Sequence, residues 1–351
     1  MSDQRTIRRE YGPRAFLVRE AHQRGISRGA LANPKLRSPF TGVRSASSVG
    51  ATLRERALAF IPLLRPGDRF SHTTALALLG CPIYVDEKTS IDIESAAGHS
   101  PFRRRGVNGH RASPNFRTLW LRIPEHEDPD FWQFGPIPVV TPLHAAIQAS
   151  TQLPFQEIVV ALDSLLSENT RRFDETAKVE VEELETARIH ARGHRGAQKF
   201  RVATQFARVG ADSRMESLTR LIGERAGLRN LTLQHAVRDP FGRLIGHFDL
   251  ADEASLSLFE YDGEQHRLKT KQYRHDLVRL DAARDAGWRP FRVHVEDILD
   301  TPEETGHKML LHTGRTPLRL PTPHKLLLEE RADGNTVSAQ PKYFVELMMS
   351  N

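Results

Sequence analysis

Apolar residues in the last third of the chain switch between helical and alternating spacing. Positions 215, 218, 222 and 226 are apolar at intervals of three and four, which predicts a helix whose N-cap is Ser213. Beyond this helix, alternation in three successive segments predicts strands that are joined by tight turns. The predicted order is a helix, three strands, a helix and a last strand, over 213–226, 231–237, 243–250, 256–262, 270–286 and 288–295.

This order of elements is typical of an α/β unit. A helix that connects two parallel strands of one sheet normally makes a right-handed crossover, so the last two strands should be parallel. The connecting helix is expected to bury Tyr273, Leu277 and Leu280. The sequence therefore predicts an α/β fold for this part of the chain.

The N-terminal segment has a different pattern of apolar residues. Phe16, Leu17 and Ala21 share one face of a short predicted helix, and Ser27 is a good N-cap for a second helix. A break at 33–35 and a strand within 39–45 follow, which together outline a small helix-turn-helix with a wing. A plain helical hairpin fits the same residues.

Changes in composition divide the chain into five regions. A chain of 351 residues is longer than one typical domain of roughly 100 to 200 residues, so two or three domains are expected. An apolar stripe predicts a buried helix over 154–168, and a charged stretch interrupted by glycines follows it. The regions are 1–50 (winged-helix-like), 51–170 (basic, α+β), 171–210 (helical connector), 211–301 (the α/β unit) and 302–351 (a C-terminal tail expected to be partly disordered).

The net charge of +6 hides a strong segregation of charge along the chain. Residues 1–60 hold 12 basic and 4 acidic side chains, residues 95–124 hold six arginines and no acid, and residues 125–190 are acidic. Such a basic region is typical of a surface that faces a polyanion, and a basic surface kept only for solubility is the alternative. The candidate nucleic-acid-binding residues are Arg28, Lys35, Arg37, Arg103, Arg104 and Arg105.

Composition also argues against several classes of protein. Cys81 is the only cysteine, which excludes an internal disulfide and a thiolate-rich zinc site. No apolar run approaches the roughly 18 residues of a membrane span, and no apolar segment follows the basic N-terminus as in a secretory signal. We therefore expect a cytoplasmic protein that does not bind membranes.

Three carboxylates stand where the second and third strands of the α/β unit would meet. If the hairpin is symmetric about residues 254 and 255, Asp249 lies opposite Glu260, and Asp262 points to the same side as Glu260. Carboxylates placed this close repel each other unless a cation neutralises them or one of them holds a proton. Because Mg²⁺ (or Mn²⁺) prefers oxygen ligands, Asp249, Glu260 and Asp262 are candidate metal ligands.

Simpler roles fit several of these polar residues. Asp262 and the glycine after it alone would make a common hairpin turn, although no alternating strand returns from it. Glu216 can complete a capping box with Ser213. His190 and His194 could share a helix face as metal ligands, but the sequence offers no third ligand for them.

The α/β unit resembles the nuclease-like domain of very-short-patch-repair (Vsr) endonucleases, a branch of the PD-(D/E)XK restriction-endonuclease fold. By this resemblance Asp249 and Glu260 correspond to the motif aspartate and glutamate, which are both metal ligands, and Glu216 to an acid on the first helix. The match covers roughly a quarter of the chain. It depends on the segments "ADSRMESLTR", "IGHFDLA", "LFEYDGEQH" and "YRHDLVRLDAARDAGWRPFRVHVEDI".

The chain departs from the parent motif at two positions. Asp262 replaces the lysine that would stabilise the phosphate, as is common in this branch, and Phe248 replaces a proline. His266, Lys269 and Lys271 are candidates to supply the missing positive charge.

The N-terminal part resembles the AbiEi family of type IV antitoxins. The segments that carry this resemblance are "RAFLVREAHQRGISRGAL", "GVRSA", "FSHTTALALLGCPI" and "GVNGHRA". The resemblance implies a winged-helix DNA-binding region, and it raises the expectation of a toxin or defence-system partner.

The two resemblances together imply a metal-dependent endonuclease that hydrolyses phosphodiester bonds in DNA. The alternative is a DNA-binding regulator or type IV antitoxin-like protein whose nuclease-like domain is inactive. Both hypotheses predict salt-sensitive DNA binding, so only cleavage separates them. The expected catalytic residues are Asp249, Glu260, Asp262, His266, Glu216 and Lys271.

Overall fold

A computed structural model describes residues 2–12, 14–46, 52–113, 116–122, 135–168, 177–262 and 270–329. Its helices, numbered along the chain, are α1 (Ser2–Tyr11), α2 (Val18–Gln23), α3 (Arg28–Leu31), α4 (Leu53–Phe60), α5 (His72–Leu78), α6 (Pro142–Ala149), α7 (Phe155–Leu166), α8 (Val181–His190), α9 (Ala197–Phe206), α10 (Arg214–Arg225), α11 (Thr270–Asp285), α12 (Val295–Leu299), α13 (Pro302–Thr313) and α14 (Thr322–Leu328). Its strands are β1 (Phe16–Leu17), β2 (Val43–Arg44), β3 (Arg69–Phe70), β4 (Ile91–Ser95), β5 (Arg103–Arg104), β6 (Val107–Arg111), β7 (Thr118–Leu121), β8 (Ile137–Val140), β9 (Thr232–Arg238), β10 (Leu244–Asp252), β11 (Ser257–Tyr261) and β12 (Arg289–Val293).

The chain is a mixed α/β protein that divides into two compact units. The first unit comprises 1–152 and 168–197, and the second comprises 153–167 and 198–351, as far as these ranges are described. Helices pack on sheets in both units, so the predicted α/β class is confirmed. The five predicted regions do not coincide with these two units, because helix α7 belongs to the second unit and helix α8 to the first.

The first forty-odd residues form three short helices around a two-stranded sheet. Strand β1 pairs antiparallel with β2, with Leu17 opposite Val43, which confirms the strand predicted within 39–45. Ser27 caps α3 by accepting a hydrogen bond of 3.3 Å from the backbone N–H of Ala30, also as predicted. Phe16 and Leu17 lie on β1 and not on a helix, because both side chains are buried where β1 pairs with β2.

A six-stranded mixed sheet forms the centre of the first unit. Its strand order is β5-β6-β4-β3-β8-β7, with β4 and β6 parallel. Strands β5 and β6 form a hairpin, so the arginine-rich segment predicted to be a loop carries Arg103 and Arg104 on a short edge strand. The hairpin presents the arginine side chains to solvent.

Gly109 on β6 allows the chain at Phe102 to pass close to the sheet. A Cβ atom at Gly109 would lie 2.3 Å from the carbonyl oxygen of Phe102, a backbone atom that cannot rotate away. We expect Gly109→Ala to lower the free energy of unfolding of the first unit by about 1–3 kcal/mol, as overpacking does. Thermal unfolding followed by circular dichroism would measure this. Gly29→Ala on α3 is the control, since nothing lies within 4 Å of that position; equal stability of the two variants would contradict the expectation.

The second unit contains the predicted succession of helix, three strands, helix and strand. Its sheet has the order β12-β11-β10-β9, with β9, β10 and β11 antiparallel and β12 parallel to β11. Leu250 pairs with Phe259 in the β10–β11 hairpin. This register is the one expected for a hairpin symmetric about residues 254 and 255, so the prediction is confirmed.

Buried ion pairs hold α7 in the second unit. Asp163 of α7 accepts hydrogen bonds of 2.7 Å from Arg220 Nη2 and from the hydroxyl of Ser217, both on α10. Glu157, also buried on α7, is bonded by Arg214. An ionised side chain is expensive to bury without a partner, and these partners are on α10. These pairs join α7, which precedes the predicted connector 171–210, to α10, which follows it.

Residues 302–329 of the predicted tail are ordered and include helices α13 and α14. Met309 and Thr305 of α13 are buried. A Cβ atom at Gly306 would lie 2.9 Å from the carbonyl oxygen of Ile222, so the glycine lets α13 pack closely against α10. The remaining residues of the predicted tail, 330–351, lie outside the described part of the chain.

Helix α11 differs from its prediction in the face that it buries. Leu280 and Ala283 are buried, whereas the side chain of Leu277 is 37% exposed. The buried stripe faces Phe248 and Val237 of the neighbouring strands, and Leu277 lies off that stripe. The side chain of Tyr273 is outside the described residues. Over the described ranges, no helix has both the length and the apolar composition of a membrane span.

Candidate functional site

Two acids of the second unit lie on the neighbouring strands β10 and β11. Asp249 precedes Leu250, whose partner Phe259 precedes Glu260 in the antiparallel register, so the two acids come at the same level of the ladder. Oδ2 of Asp249 accepts a hydrogen bond of 2.8 Å from the backbone N–H of Tyr261. This bond fixes the aspartate carboxylate against the strand that carries Glu260.

A third carboxylate approaches from the first turn of α10. The backbone N–H of Glu216 donates to the hydroxyl of Ser213 at 3.2 Å, which confirms the predicted N-cap. The Glu216 side chain does not complete the capping box, because its Oε2 accepts from the backbone N–H of Asp212 at 3.0 Å and from the Gln234 amide at 2.9 Å. Glu216 is therefore held by the loop before α10 and by strand β9.

The pKa values of the three acids show that they share one environment. Burial raises the pKa of Glu216 to about 7, and the charge of Asp249 adds to the rise. Burial raises the pKa of Asp249 to about 6 despite the hydrogen bond from Tyr261, and the charge of Glu260 again adds to it. Burial also raises the pKa of Glu260. Mutual repulsion therefore links Glu216 to Asp249 and Asp249 to Glu260.

Arg279 of α11, among the described residues, donates directly to one of these acids. Its Nη2 donates to Oε1 of Glu260, and its Nη1 donates to the backbone carbonyl of His247 at 2.6 Å. The guanidinium carbon lies 4.7 Å from the ring centroid of Phe248, and Gly246 leaves space for its stem. Asp276, three residues earlier on α11, lies 4.0 Å from the same guanidinium.

Asp262, the third predicted metal ligand, is hydrogen-bonded to an arginine. Its Oδ2 accepts a hydrogen bond of 3.2 Å from Arg292 Nη1 of strand β12. The position of the motif lysine is thus occupied by an acid that is bound to an arginine. His266, Lys269 and the side chain of Lys271, the predicted replacements for this lysine, lie outside the described residues.

A different trio meets the distance requirement of a three-ligand metal site. Among the described residues, His72, Asp92 and His110 bring three ligand atoms within 4.8 Å of one another, and the acids of the second unit form no such group of three. No sequence pattern predicts this trio, because its members are 18 or more positions apart. His190 and His194 are not part of such a trio, and Nδ1 of His190 is hydrogen-bonded to the carbonyl of Thr186 at 2.9 Å.

The predicted nucleic-acid-binding residues all lie on the surface of the first unit. Arg28, Lys35 and Arg37 are exposed on the N-terminal segment, and Arg103, Arg104 and Arg105 are exposed on the β5–β6 hairpin. Arg104 joins the two elements by donating to the carbonyl of Thr41 at 3.2 Å. A groove of about 830 Å³ runs between them, and its charged lining residues are Arg19, Arg65, Arg103 and Arg104.

No protein-family model, curated protein or solved structure matches the chain. Function is therefore inferred from the geometry and charge of these residues.

Proposed function

We propose that the protein is a metal-dependent nuclease whose hydrolytic site is formed by Asp249, Glu260 and Glu216. The observation that supports this most is the pairing of two half-buried acids, Asp249 and Glu260, across the β10–β11 hairpin. The third acid, Glu216, lies close enough to Asp249 for the charge of Asp249 to raise its pKa. Buried like charges destabilise a fold unless a cation is bound or protons are retained. Their presence on two neighbouring strands is typical of a functional site.

The arrangement of elements supports a restriction-endonuclease-like fold within this proposal. The helix α10, the antiparallel strands β9 to β11, the helix α11 and the parallel strand β12 follow one another as the resemblance implies. The two acids that the resemblance assigns as ligands lie on the second and third of these strands. A cytoplasmic location belongs to the same proposal.

Asp249 and Glu260 fit a divalent cation with a preference for oxygen ligands, such as Mg²⁺ or Mn²⁺. When bound, such an ion would activate water and polarise the phosphate. Glu260 and Asp262 are each hydrogen-bonded to an arginine, Arg279 and Arg292, so an ion bound by either acid would replace part of that contact.

The side chains of the second unit have separate tasks in the proposed hydrolysis. Water oxygen forms a bond to phosphorus, one P–O ester bond breaks, and a water proton ends on the leaving oxygen. Gln234 and the backbone of Asp212 orient Glu216 toward Asp249. Arg279 orients Glu260. As the described cation nearest to these acids, Arg279 is also placed to take the part of the absent motif lysine in stabilising the charged phosphate.

The first unit is proposed to bind the nucleic acid backbone. Arg19, Arg103 and Arg104 line a groove that has no acidic lining residue among those described. Neutralisation of phosphates by such side chains gives affinity that is largely independent of sequence and falls with salt. DNA is the proposed partner.

The second candidate function is that of a DNA-binding regulator without nuclease activity, such as an antitoxin-like protein with a toxin partner. Two ion pairs favour it. Arg279 already neutralises Glu260, and Arg292 already neutralises Asp262, so the acids can persist in the fold without a metal. This candidate retains DNA binding and lacks cleavage.

Cleavage of plasmid and single-stranded DNA by the purified full chain separates the two candidates. With Mg²⁺ or Mn²⁺ we expect nicking that EDTA abolishes and that Glu260→Gln lowers at least about 100-fold, since loss of a ligand exceeds the effect of losing its supporting contacts. Glu253→Gln is a matched control, because Glu253 is an exposed acid in the turn of the same hairpin. Binding without cutting in every metal would exclude the nuclease and support the regulator.

A further inference from the structure

Three polar residues of the first unit converge where helix α5 meets the six-stranded sheet. His72 is the first residue of α5, Asp92 lies on β4 and His110 lies on β6. Asp92 pairs with Asn108 in the parallel ladder. Because side chains alternate along a strand, His110 points to the same side of the sheet as Asp92.

The donor atoms of the three side chains lie close together. Nε2 of His110 is 2.8 Å from Oδ1 of Asp92, and the rings of His72 and His110 stack with centroids 3.8 Å apart. One ligand atom from each residue falls within 4.8 Å of the other two. Metal–ligand bonds of about 2.0–2.2 Å would place such atoms roughly 3 Å apart, so only small side-chain movements are needed.

The two oxygens of the Asp92 carboxylate differ in their hydrogen bonds. Asp92 is 1% exposed. Its Oδ1 accepts from His110 and also from the amides of Gln152 at 3.0 Å and Asn108 at 3.3 Å. Its Oδ2 is buried and has no hydrogen-bond partner among the described residues. Leaving a buried carboxylate oxygen unbonded costs free energy, so this oxygen is suited to receive a cation.

His72 is held in an unusual backbone conformation that aims its ring into the cluster. Its φ is +50°, a value that residues with a Cβ rarely adopt. Its Nδ1 is hydrogen-bonded to the hydroxyl of Ser71 at 3.0 Å, and its backbone N–H donates to the Gln148 side chain at 3.3 Å. A hydrogen bond at one ring nitrogen fixes the ring and leaves the other, Nε2, as the ligand atom, as in many metal sites.

We propose that His72, Asp92 and His110 bind a divalent first-row transition-metal ion such as Zn²⁺. Two imidazoles and one carboxylate are the donors that Zn²⁺ and its neighbours prefer, whereas Mg²⁺ favours oxygen ligands alone. Three protein ligands leave at least one coordination position for water or another small ligand. The side chain of His110 is 27% exposed, which gives an ion access from solvent.

This site is independent of the proposed nuclease site. It lies in the first unit, shares no residue with the acids of the second unit, and takes a different class of metal ion. Its ordinary alternative is a buried hydrogen-bonded pair of Asp92 and His110 that never binds metal.

Calorimetric titration of the chelator-treated full chain with Zn²⁺ tests the proposal. We expect a site filled by one Zn²⁺, and at least about 100-fold weaker binding there in His72→Gln and in His110→Gln, since loss of even a supporting contact weakens metal sites about 10- to 100-fold. A large excess of Mg²⁺ should not compete. Co²⁺ in place of Zn²⁺ should give visible absorption that the two variants lose.

Control variants test whether Zn²⁺ binds at another site and whether a variant loses binding only because it is misfolded. His99→Gln should bind Zn²⁺ like the wild type, because His99 also contacts a buried aspartate, Asp68, but lies outside the trio. Asp249→Asn should also bind Zn²⁺ like the wild type, whether or not the protein is a nuclease. Thermal unfolding without metal checks that each variant is folded. Equal Zn²⁺ affinity in folded wild type and folded His110→Gln, or no binding by the wild type, would overturn the proposal.

Discussion

Arg220→Met is expected to lower the free energy of unfolding of the second unit by about 3–5 kcal/mol, the range for breaking a buried ion pair. Arg220 is 0% exposed. Its Nη2 donates to Asp163 at 2.7 Å and its Nη1 donates to Glu224 at 2.8 Å. Methionine fills a similar volume, so the loss comes mainly from removing the guanidinium that lies between two buried carboxylates.

Urea unfolding at pH 7, followed by circular dichroism, measures this loss. Arg225→Met is the matched control, because Arg225 lies on the same helix and its partner Glu303 is largely exposed. Exposed pairs contribute at most about 1 kcal/mol. A variant with Asp163→Asn and Glu224→Gln in addition to Arg220→Met should recover part of the stability. The reason is that asparagine can still form hydrogen bonds with Ser217 and with the backbone N–H of Arg208. A loss below about 1 kcal/mol in the single variant would show that the ion pairs are unimportant.

Asp249→Asn is expected to change activity and stability in opposite directions. If the proposed nuclease is correct, the variant loses at least about 100-fold in metal-dependent cleavage. In EDTA at pH 8 it should be more stable than the wild type by about 1–3 kcal/mol, because about 1.4 kcal/mol corresponds to each unit of pKa displacement. Asparagine keeps an oxygen that can accept the hydrogen bond from Tyr261.

The sign of the pH dependence follows from the raised pKa of Asp249, about 6 in place of 3.8. Between these values the folded state binds more protons than the unfolded state, so wild-type stability falls as pH rises from 4 through 6. The raised pKa of Glu216 extends the fall to about pH 7. The variant lacks the contribution of Asp249 and should therefore show a shallower fall.

Thermal melts at pH 4 and pH 8 measure this difference. The two proteins should differ little at pH 4 and clearly at pH 8. Adding Mg²⁺ should raise the melting temperature of the wild type more than that of the variant. Lower stability of Asp249→Asn at pH 8 would contradict the electrostatic account of the site.

Local patterns in the sequence were sufficient to predict the β10–β11 hairpin of the second unit and its register. The alternation of apolar residues sets which side chains share a face, and the symmetric turn sets the register of Leu250 with Phe259. Ser213 was predictable as a helix cap for the same reason, since a cap depends on residues only three positions away. These features required no knowledge of distant partners.

Features that depend on distant residues could not be read from the sequence. Arg279 reaches Glu260 only because α11 crosses the hairpin at Gly246. The trio of His72, Asp92 and His110 comes together through the pairing of β4 with β6. Both depend on how elements pack, which spacing along the chain does not record.

Helix α7 belongs to the second unit, although the segments before and after it belong to the first. The chain passes between the two units at 152/153, 167/168 and 197/198, so no single cut releases either one whole. A fragment starting at residue 211 would contain all the acids of the hairpin, yet Arg214 and Arg220 would have lost Glu157 and Asp163. Any breakpoint between α7 and α10 would have the same effect, so these two helices need to stay on one fragment.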